Sequence, residues 1–371
     1  MTPPRTRAAR IIDPVAEFLR TEAAGGVLLF MGAIVALVWA NVDAGGYADV
    51  WGTELTIGIG DLTISEDLQH WVNDGLMAIF FFVISLEIKR ELIVGDLRHP
   101  RAATLPILAA AGGVLLPALI FLAITAGSGN EAGWGIPMAT DAAFAIGVLT
   151  LLGDRVGTGA KLFLVTIAVV DDVFAILVIA VAYTSGLEPA WLGLAAAGLL
   201  AVAGMRRLQV ASPLAYVLPA LVVWVAVLES GVHPTIAGVA LGLMTPARPV
   251  RGRPVLEQLE HRLHPFTSFL VLPLFALANA GVALGGSALS GDGEARVALA
   301  VAVALVVGKF LGIGAATWGA VRSGLGRLPA GVGRRTAPGV AALGGIGFTV
   351  ALITDPPSTP ILALSTNPAS E

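Results

Sequence analysis

Long apolar runs separated by short polar joints rich in glycine and proline dominate the chain. About 20 apolar residues in a row reach across a bilayer as a helix. Such runs occupy residues 24–42, 68–88, 102–125, 134–153, 161–183, 190–205, 211–229, 233–246, 264–285, 296–321 and 337–354. They predict about eleven spans and an all-α multi-pass membrane protein. The eighth is short and needs cover from neighbouring protein. One segment has a different period. In TELTIGIGDLTIS, Leu55, Ile57 and Ile59 alternate, Gly60-Asp61 offers a turn, and Leu62 and Ile64 alternate again. This predicts a small external β-hairpin over 53–64, the alternative being an irregular loop.

Composition explains why the runs must be spans. Hydrophobic residues make up 56% of the 371 and charged residues 13%, with a mean hydropathy of +0.85. No soluble domain buries that much apolar surface, so lipid must be part of the solvent. The net charge of −4 matters less than where the charges lie. Of 22 basic residues, 20 fall on one side of the eleven-span layout. They precede span 1 (Arg5 to Arg20) or lie in the joints after spans 2, 4, 6, 8 and 10. The opposite side holds only Arg296, and Lys309 lies within span 10. By the positive-inside rule the basic side, with the N-terminus, is cytoplasmic. A cleaved signal peptide is the rival for the N-terminal run, but span 1 is long and further spans follow directly. With no cysteine, disulfides, thiol chemistry and cysteine metal sites are excluded.

Charge then reappears where it is least welcome. LFLVTIAVVDDVFAILVIAVAY carries Asp171 and Asp172 near mid-membrane, ten residues beyond Lys161. Each central Asp costs roughly 2.5–3.5 kcal/mol, so the pair costs about 5–7 kcal/mol. The span's 14 Leu, Ile, Val and Phe residues return about 0.3–0.6 kcal/mol each. Insertion therefore comes near break-even, and the carboxylates need a partner or a proton. Lys309, 13 residues from both Arg296 and Arg322, lies at the same depth. Successive helical residues point about 100° apart, so one aspartate can meet Lys309 while the other faces a wet cavity. A lysine suits this place because an amine can give up its proton on burial, whereas a guanidinium stays charged. The bland alternative is an ion pair that only fixes packing.

GWGIPMATDAAFAIGVLTLLG in span 4 predicts a helix broken inside the membrane. Pro137 lacks an N–H, and Thr140-Asp141 offers a cap for a restart. Asp141 as a mere cap is the alternative. Span 11 supplies a counterpart in GVAALGGIGFTVALIT, with Gly344, Gly345 and Gly347 mid-span, although such glycines also serve close packing. GVALG at 238–242 belongs to that packing class. Spans 3 to 5 and spans 10 and 11 run in inverted order. Inverted repeats at about 102–183 and 296–354 would set the two broken helices against each other at the midplane, a pattern of transporters. The partial charges at the broken ends have signs that Asp141 and Lys309 can balance. At the cytoplasmic ends of spans 2 and 9 stand Glu87, Arg90, Glu91, Glu260, His261 and His264. Histidines beside carboxylates can sense pH, and interfacial ion pairs also occur without function. His233, before Pro234, suits a turn or cap.

WVNDGLMAIFFFVISLEIKREL, IPMATDAAFAIGVLTLLG, AVVDDVFAI, SGVHPTIAGV, LEHRLHPF, LPLFALANAGV, GKFLGI and GGIGFTV closely resemble NhaA-type sodium/proton antiporters. The resemblance spans about residues 10–354 and implies one transmembrane antiporter domain over 1–354. It implies two discontinuous crossing helices and exchange of cytoplasmic Na⁺ or Li⁺ for protons, electrogenic and pH-regulated, by alternating access in a bacterial inner membrane. Asp172 then corresponds to the main cation ligand, and Asp171 to a proton carrier paired with Lys309. Both aspartates would contact Na⁺, with Thr140 and Asp141 supporting the site at the helix crossing. Glu87, Arg90, Glu91, Glu260, His261 and His264 correspond to a pH-responsive cluster, and the 53–64 hairpin to a homodimer contact. No cofactor or nucleic acid is implied; the partners are Na⁺, Li⁺, H⁺ and lipid. The family also has a twelfth helix. Here DPPSTPILALSTNPASE follows span 11, with four prolines and no spanning run, so the last helix is missing from this layout and 355–371 is expected to be a disordered tail. A sodium-coupled symporter of an organic anion held by Lys309 is the competing transporter class, disfavoured because spans 4 and 5 hold no further cation. An inactive membrane scaffold is the other. Nothing in the sequence supports an enzyme, as there is no phosphate loop, thiol or metal-ligand cluster.

Overall fold

The computed structural model describes residues 9–59, 62–138, 140, 145, 157–182, 184, 186–210, 212–282, 292–329, 332 and 337–344. The first helix, α1 (Ala9–Val42), is longer than the apolar run inside it. A short α2 (Ala44–Trp51) follows, capped by Asp43, whose Oδ1 accepts from the Gly46 N–H at 3.0 Å. The period-2 segment forms β1 (Glu54–Ile59) and β2 (Leu62–Asp67), antiparallel, with Ile57 opposite Ile64 and Ile59 opposite Leu62. The predicted hairpin is therefore present; its turn lies outside the described residues. Span 2 starts with a helical turn (Leu68–His70) and a π turn (Trp71–Leu76), then continues as α3 (Met77–Ile93).

Next come α4 (Pro100–Thr125), a 3₁₀ segment (Glu131–Met138), α5 (Thr158–Ala182), α6 (Pro189–Arg207), α7 (Val217–Leu228) and α8 (Thr235–Met244). Prolines open α4 and α6, where a missing N–H costs nothing. Arg206 and Arg207 end α6, where the helix dipole favours cations. Then follow α9 (Val255–Phe266), a π turn (Thr267–Val271) and α10 (Leu272–Asn279). The series closes with α11 (Asp292–Val303), a π turn (Ala304–Gly308), α12 (Lys309–Arg322) and α13 (Ala337–Gly344). Five helical stretches among the described residues are long and apolar enough to cross a membrane: Ala24–Val42, Pro100–Thr125, Gly159–Ala182, Pro189–Arg207 and Arg296–Arg322.

These helices are apolar on the outside as well as inside. On α1, Leu29, Ala33, Ala36 and Ala40 are buried while Val27, Phe30, Met31, Ile34 and Val38 are exposed. An apolar exposed face on a helix this hydrophobic is a lipid face. Burial ranks the spans: 61% of the apolar stretch of α5 is buried, against 11% of that of α6. So α5 is central and α6 peripheral. Two apolar clusters meet on α5. Val169, Ile176 and Ile179 pack with Leu29, Tyr47, Met77, Phe81 and Phe275 from α1, α2, α3 and α10. Phe163, Leu164, Ile167 and Val170 pack with Leu105, Ala109, Ile313 and Val340 from α4, α12 and α13.

Candidate functional site

The two aspartates of α5 divide between these clusters. At about 100° per residue, Asp172 falls on the stripe of Val169, Ile176 and Ile179, on the side of the cluster that α1, α3 and α10 also join. Asp171 falls on the stripe of Leu164 and Ile167, facing α4 and α12. Asp171 is buried and Asp172 half-buried.

Lys309 is fully buried, and its Nζ donates to Asp171 Oδ2 at 2.6 Å and to Thr140 Oγ1 at 2.9 Å. Thr140 in turn donates its backbone N–H to the same Asp171 Oδ2 at 2.5 Å and its hydroxyl to the Gly344 carbonyl at 2.9 Å. That N–H is available because the chain is not helical here. The 3₁₀ segment stops at Met138, Pro137 has φ −84 and ψ 15, and Thr140 belongs to no helix. One residue thus connects the interrupted stretch of span 4, the carboxylate of α5, the ammonium of α12 and the end of α13. Oδ2 holds two donors, one of them charged, while Oδ1 is buried and accepts from nothing among the described residues. Such an asymmetric carboxylate has one oxygen fixed and one in reserve. Asp141, Gly345 and Gly347 lie outside the described residues.

The predicted pH-responsive cluster is partly assembled. Arg90 on α3 reaches Glu260 on α9 at 3.1 Å and Glu87 at 3.9 Å. Glu260 is buried, and desolvation pushes its carboxyl above the usual range, opposed by the charges of Arg90 and His264. Glu91 and His264 are half-buried, whereas His261 is exposed. His233 Nδ1 lies 2.8 Å from Thr235 Oγ1, at the first turn of α8.

Two further contacts had no counterpart in the sequence pattern. Lys89 Nζ donates to the carbonyls of Leu243, at 2.6 Å, and of Thr245, and Arg206 donates to that of Met244 at 3.2 Å. Two cations from α3 and α6 thereby cap the C-terminus of α8. Asn73 and Asn279 exchange amide hydrogen bonds of 3.1 and 2.8 Å, tying the π turn of span 2 to the end of α10. The sequence does not name these partners: Lys89 sits among Glu87, Arg90 and Glu91, and Asn73 beside Asp74.

Known proteins supply the context for this geometry. A family model described as Na⁺/H⁺ antiporter 1 matches residues 16–357. The Na(+)/H(+) antiporter NhaA 2 of Pseudomonas putida is 42% identical over 93% of this chain and 86% of its own. That of Erythrobacter litoralis is 46% identical over 91% of this chain and 84% of its own. The Na(+)/H(+) antiporter NhaA of Serratia proteamaculans is 46% identical over 91% of this chain and 87% of its own. Likeness of this extent, on a helical multi-pass membrane framework, means that the chain belongs to the Na⁺/H⁺ antiporter 1 family.

Proposed function

We propose that the chain exports cytoplasmic Na⁺, or Li⁺, in exchange for protons by alternating access, with Asp171 and Asp172 as the groups for which cation and proton compete. The observation that carries this is the buried Lys309–Asp171–Thr140 arrangement with one carboxylate oxygen unsatisfied among the described residues. A hard cation prefers oxygen donors, and an ionised carboxylate in a low-dielectric place needs a compensating charge. In this scheme Asp172 takes the cation. Asp171 exchanges its proton while Lys309 and Thr140 hold its second oxygen. Cation binding requires ionised oxygens, so it expels protons. If more than one proton leaves per Na⁺, transport is electrogenic and the membrane potential drives it. Asp141 would support the site, as the resemblance to the family implies, and the transported ions would suffice without a cofactor.

Several finer expectations belong to the same proposal. Spans 3 to 5 and 10 to 11 would be inverted repeats with crossing broken helices. The side rich in arginine would face the cytoplasm of a bacterium. Glu87, Arg90, Glu91, Glu260, His261 and His264 would adjust activity to pH. Two copies would associate through the 53–64 hairpin, where Leu55 and Ile57 are exposed.

The test is Na⁺-dependent proton movement in membrane vesicles. Asp172→Asn should abolish it while leaving the folded protein in the membrane. Undiminished flux from that variant would overturn the assignment. Proton movement driven by Na⁺ with no organic anion present separates antiport from symport, and complementation of a salt-sensitive strain separates either from a silent scaffold.

A further inference from the structure

The two charged partners at the site reside on different helices, α5 and α12, and both rest on α4. Beyond Arg101 in its first turn, α4 carries no charged residue. On one flank its Leu105, Ala109 and Ala110 pack with Phe163, Leu164 and Ile167 of α5. On the other it meets α12 backbone to backbone. A methyl group on Gly112 would lie 2.3 Å from the Gly312 carbonyl oxygen, and one on Gly312 would lie 2.1 Å from the Gly112 oxygen. One turn earlier, a methyl on Gly308 would lie 2.9 Å from Pro117 Cα. The obstructing atoms are backbone, which cannot rotate away as a side chain would.

Lys309 sits between these two contacts, one residue after Gly308 and three before Gly312. Its stem passes over α4: a methyl on Gly113 would lie 3.8 Å from Lys309 Cδ. From there the ammonium reaches Asp171 Oδ2 at 2.6 Å. α12 therefore cannot bring the backbone of Lys309 nearer to α4 while the glycine contacts hold. In a membrane such small-residue contacts provide van der Waals packing. Here they also set the reach of one specific cation toward one specific carboxylate.

We propose that Gly112 and Gly312 are positioning residues for ion exchange, their backbone contact fixing the distance between Lys309 and Asp171. This rests on the proposed role of Asp171 and Lys309 in transport. A methyl at either glycine must drive α4 and α12 apart by about 1 Å to reach ordinary contact distance. The ammonium is drawn back from Oδ2, and the Asp171 carboxylate loses the partner that fixes its position.

The experiment measures Na⁺-driven proton flux against Na⁺ concentration and pH in vesicles for Gly312→Ala, with Gly319→Ala as control. Gly319 lies on the same helix with nothing within 4 Å of an added methyl. Gly312→Ala is expected to raise the half-saturating Na⁺ concentration about tenfold, as a displacement of about 1 Å at a binding group does, and to move the pH of half-maximal exchange. Gly319→Ala should do neither. A folded Gly312→Ala protein with both values unchanged would overturn the proposal, as would equal shifts in both variants. If Gly312→Ala does not fold, Gly308→Ala decides on the same two readings, because its methyl meets the backbone of the same helix pair less closely, at 2.9 Å from Pro117 Cα. The same shifts support the proposal and none overturns it. Asp171→Asn runs alongside. Should that variant keep the wild-type pH profile, it is the role of Asp171 that fails, with the positioning falling as a consequence.

Discussion

Asp171 carries its two oxygens into different surroundings, and that difference governs what a substitution there should do. Oδ2 is held by Lys309 and by the Thr140 N–H, while Oδ1 has no donor among the described residues. Removing one partner of a buried ion pair leaves an uncompensated charge, at about 3–5 kcal/mol. Lys309→Met should therefore destabilise the protein strongly at pH 8. The double variant Asp171→Asn/Lys309→Met should recover most of the loss, because no charge is then stranded. Thermal unfolding in detergent measures this, and a double variant as unstable as Lys309→Met would mean that the stranded charge is not the cause. That one of the two aspartates would meet Lys309 was legible in the sequence, because counting residues from the flanking charges put them at one depth; that it is Asp171 was legible only through resemblance. Thr140 as the hub was legible only through resemblance. Its backbone N–H is free to bind Asp171 only where the helix is interrupted, and hydropathy does not register that.

At the level of helices, the C-terminus of α8 is the clearest case of one element depending on others. Its last carbonyls are met by Lys89 of α3 and Arg206 of α6. Lys89 stands outside the spans. Burial, with a smaller contribution from the charge of Arg206, brings its ammonium from 10.5 down to about 8. The folded protein thus gives up this proton from about pH 8, whereas the unfolded chain keeps it to about 10.5. Between those values the unfolded chain binds more protons, so this group makes stability rise with pH. Lys89→Met lacks that contribution. The Tm of the wild type relative to Lys89→Met should climb between pH 8 and 10, and a constant difference over that interval would refute the assignment. The helices were largely predictable, being long apolar runs, and the hairpin was predictable from its period of two. The three π turns were not. One extra residue in a turn leaves the hydropathy of Trp71–Leu76, Thr267–Val271 or Ala304–Gly308 unchanged, yet it rotates every residue beyond it. The glycine contact of α4 with α12 was equally hidden, since a glycine in a sequence does not name the backbone it will touch.

The whole molecule is organised by the bilayer, and its orientation is the property that the charge distribution argues most directly. With 20 of 22 basic residues on one side, the joint after α4 should be external and the one after α12 cytoplasmic. The proposed direction of transport depends on this, because Lys89, Arg90 and Glu260 must lie on the cytoplasmic side to respond to internal pH. The chain has no cysteine, so a single introduced thiol would be read against no background. Ala126, just beyond α4, and Ser323, just beyond α12, are both exposed. Ala126→Cys should react with a membrane-impermeant maleimide added to intact cells, and Ser323→Cys should react only once the membrane is opened or inverted. The reverse pattern would invert the molecule and place the Arg90–Glu260 pair outside. Labelling of both from one side would instead mean that the number of spans between residues 126 and 323 is even, whereas the eleven-span layout places seven spans, numbers 4 to 10, between them and so requires opposite sides. Equal labelling therefore demands an even number, and would remove one span from that stretch or add one to it.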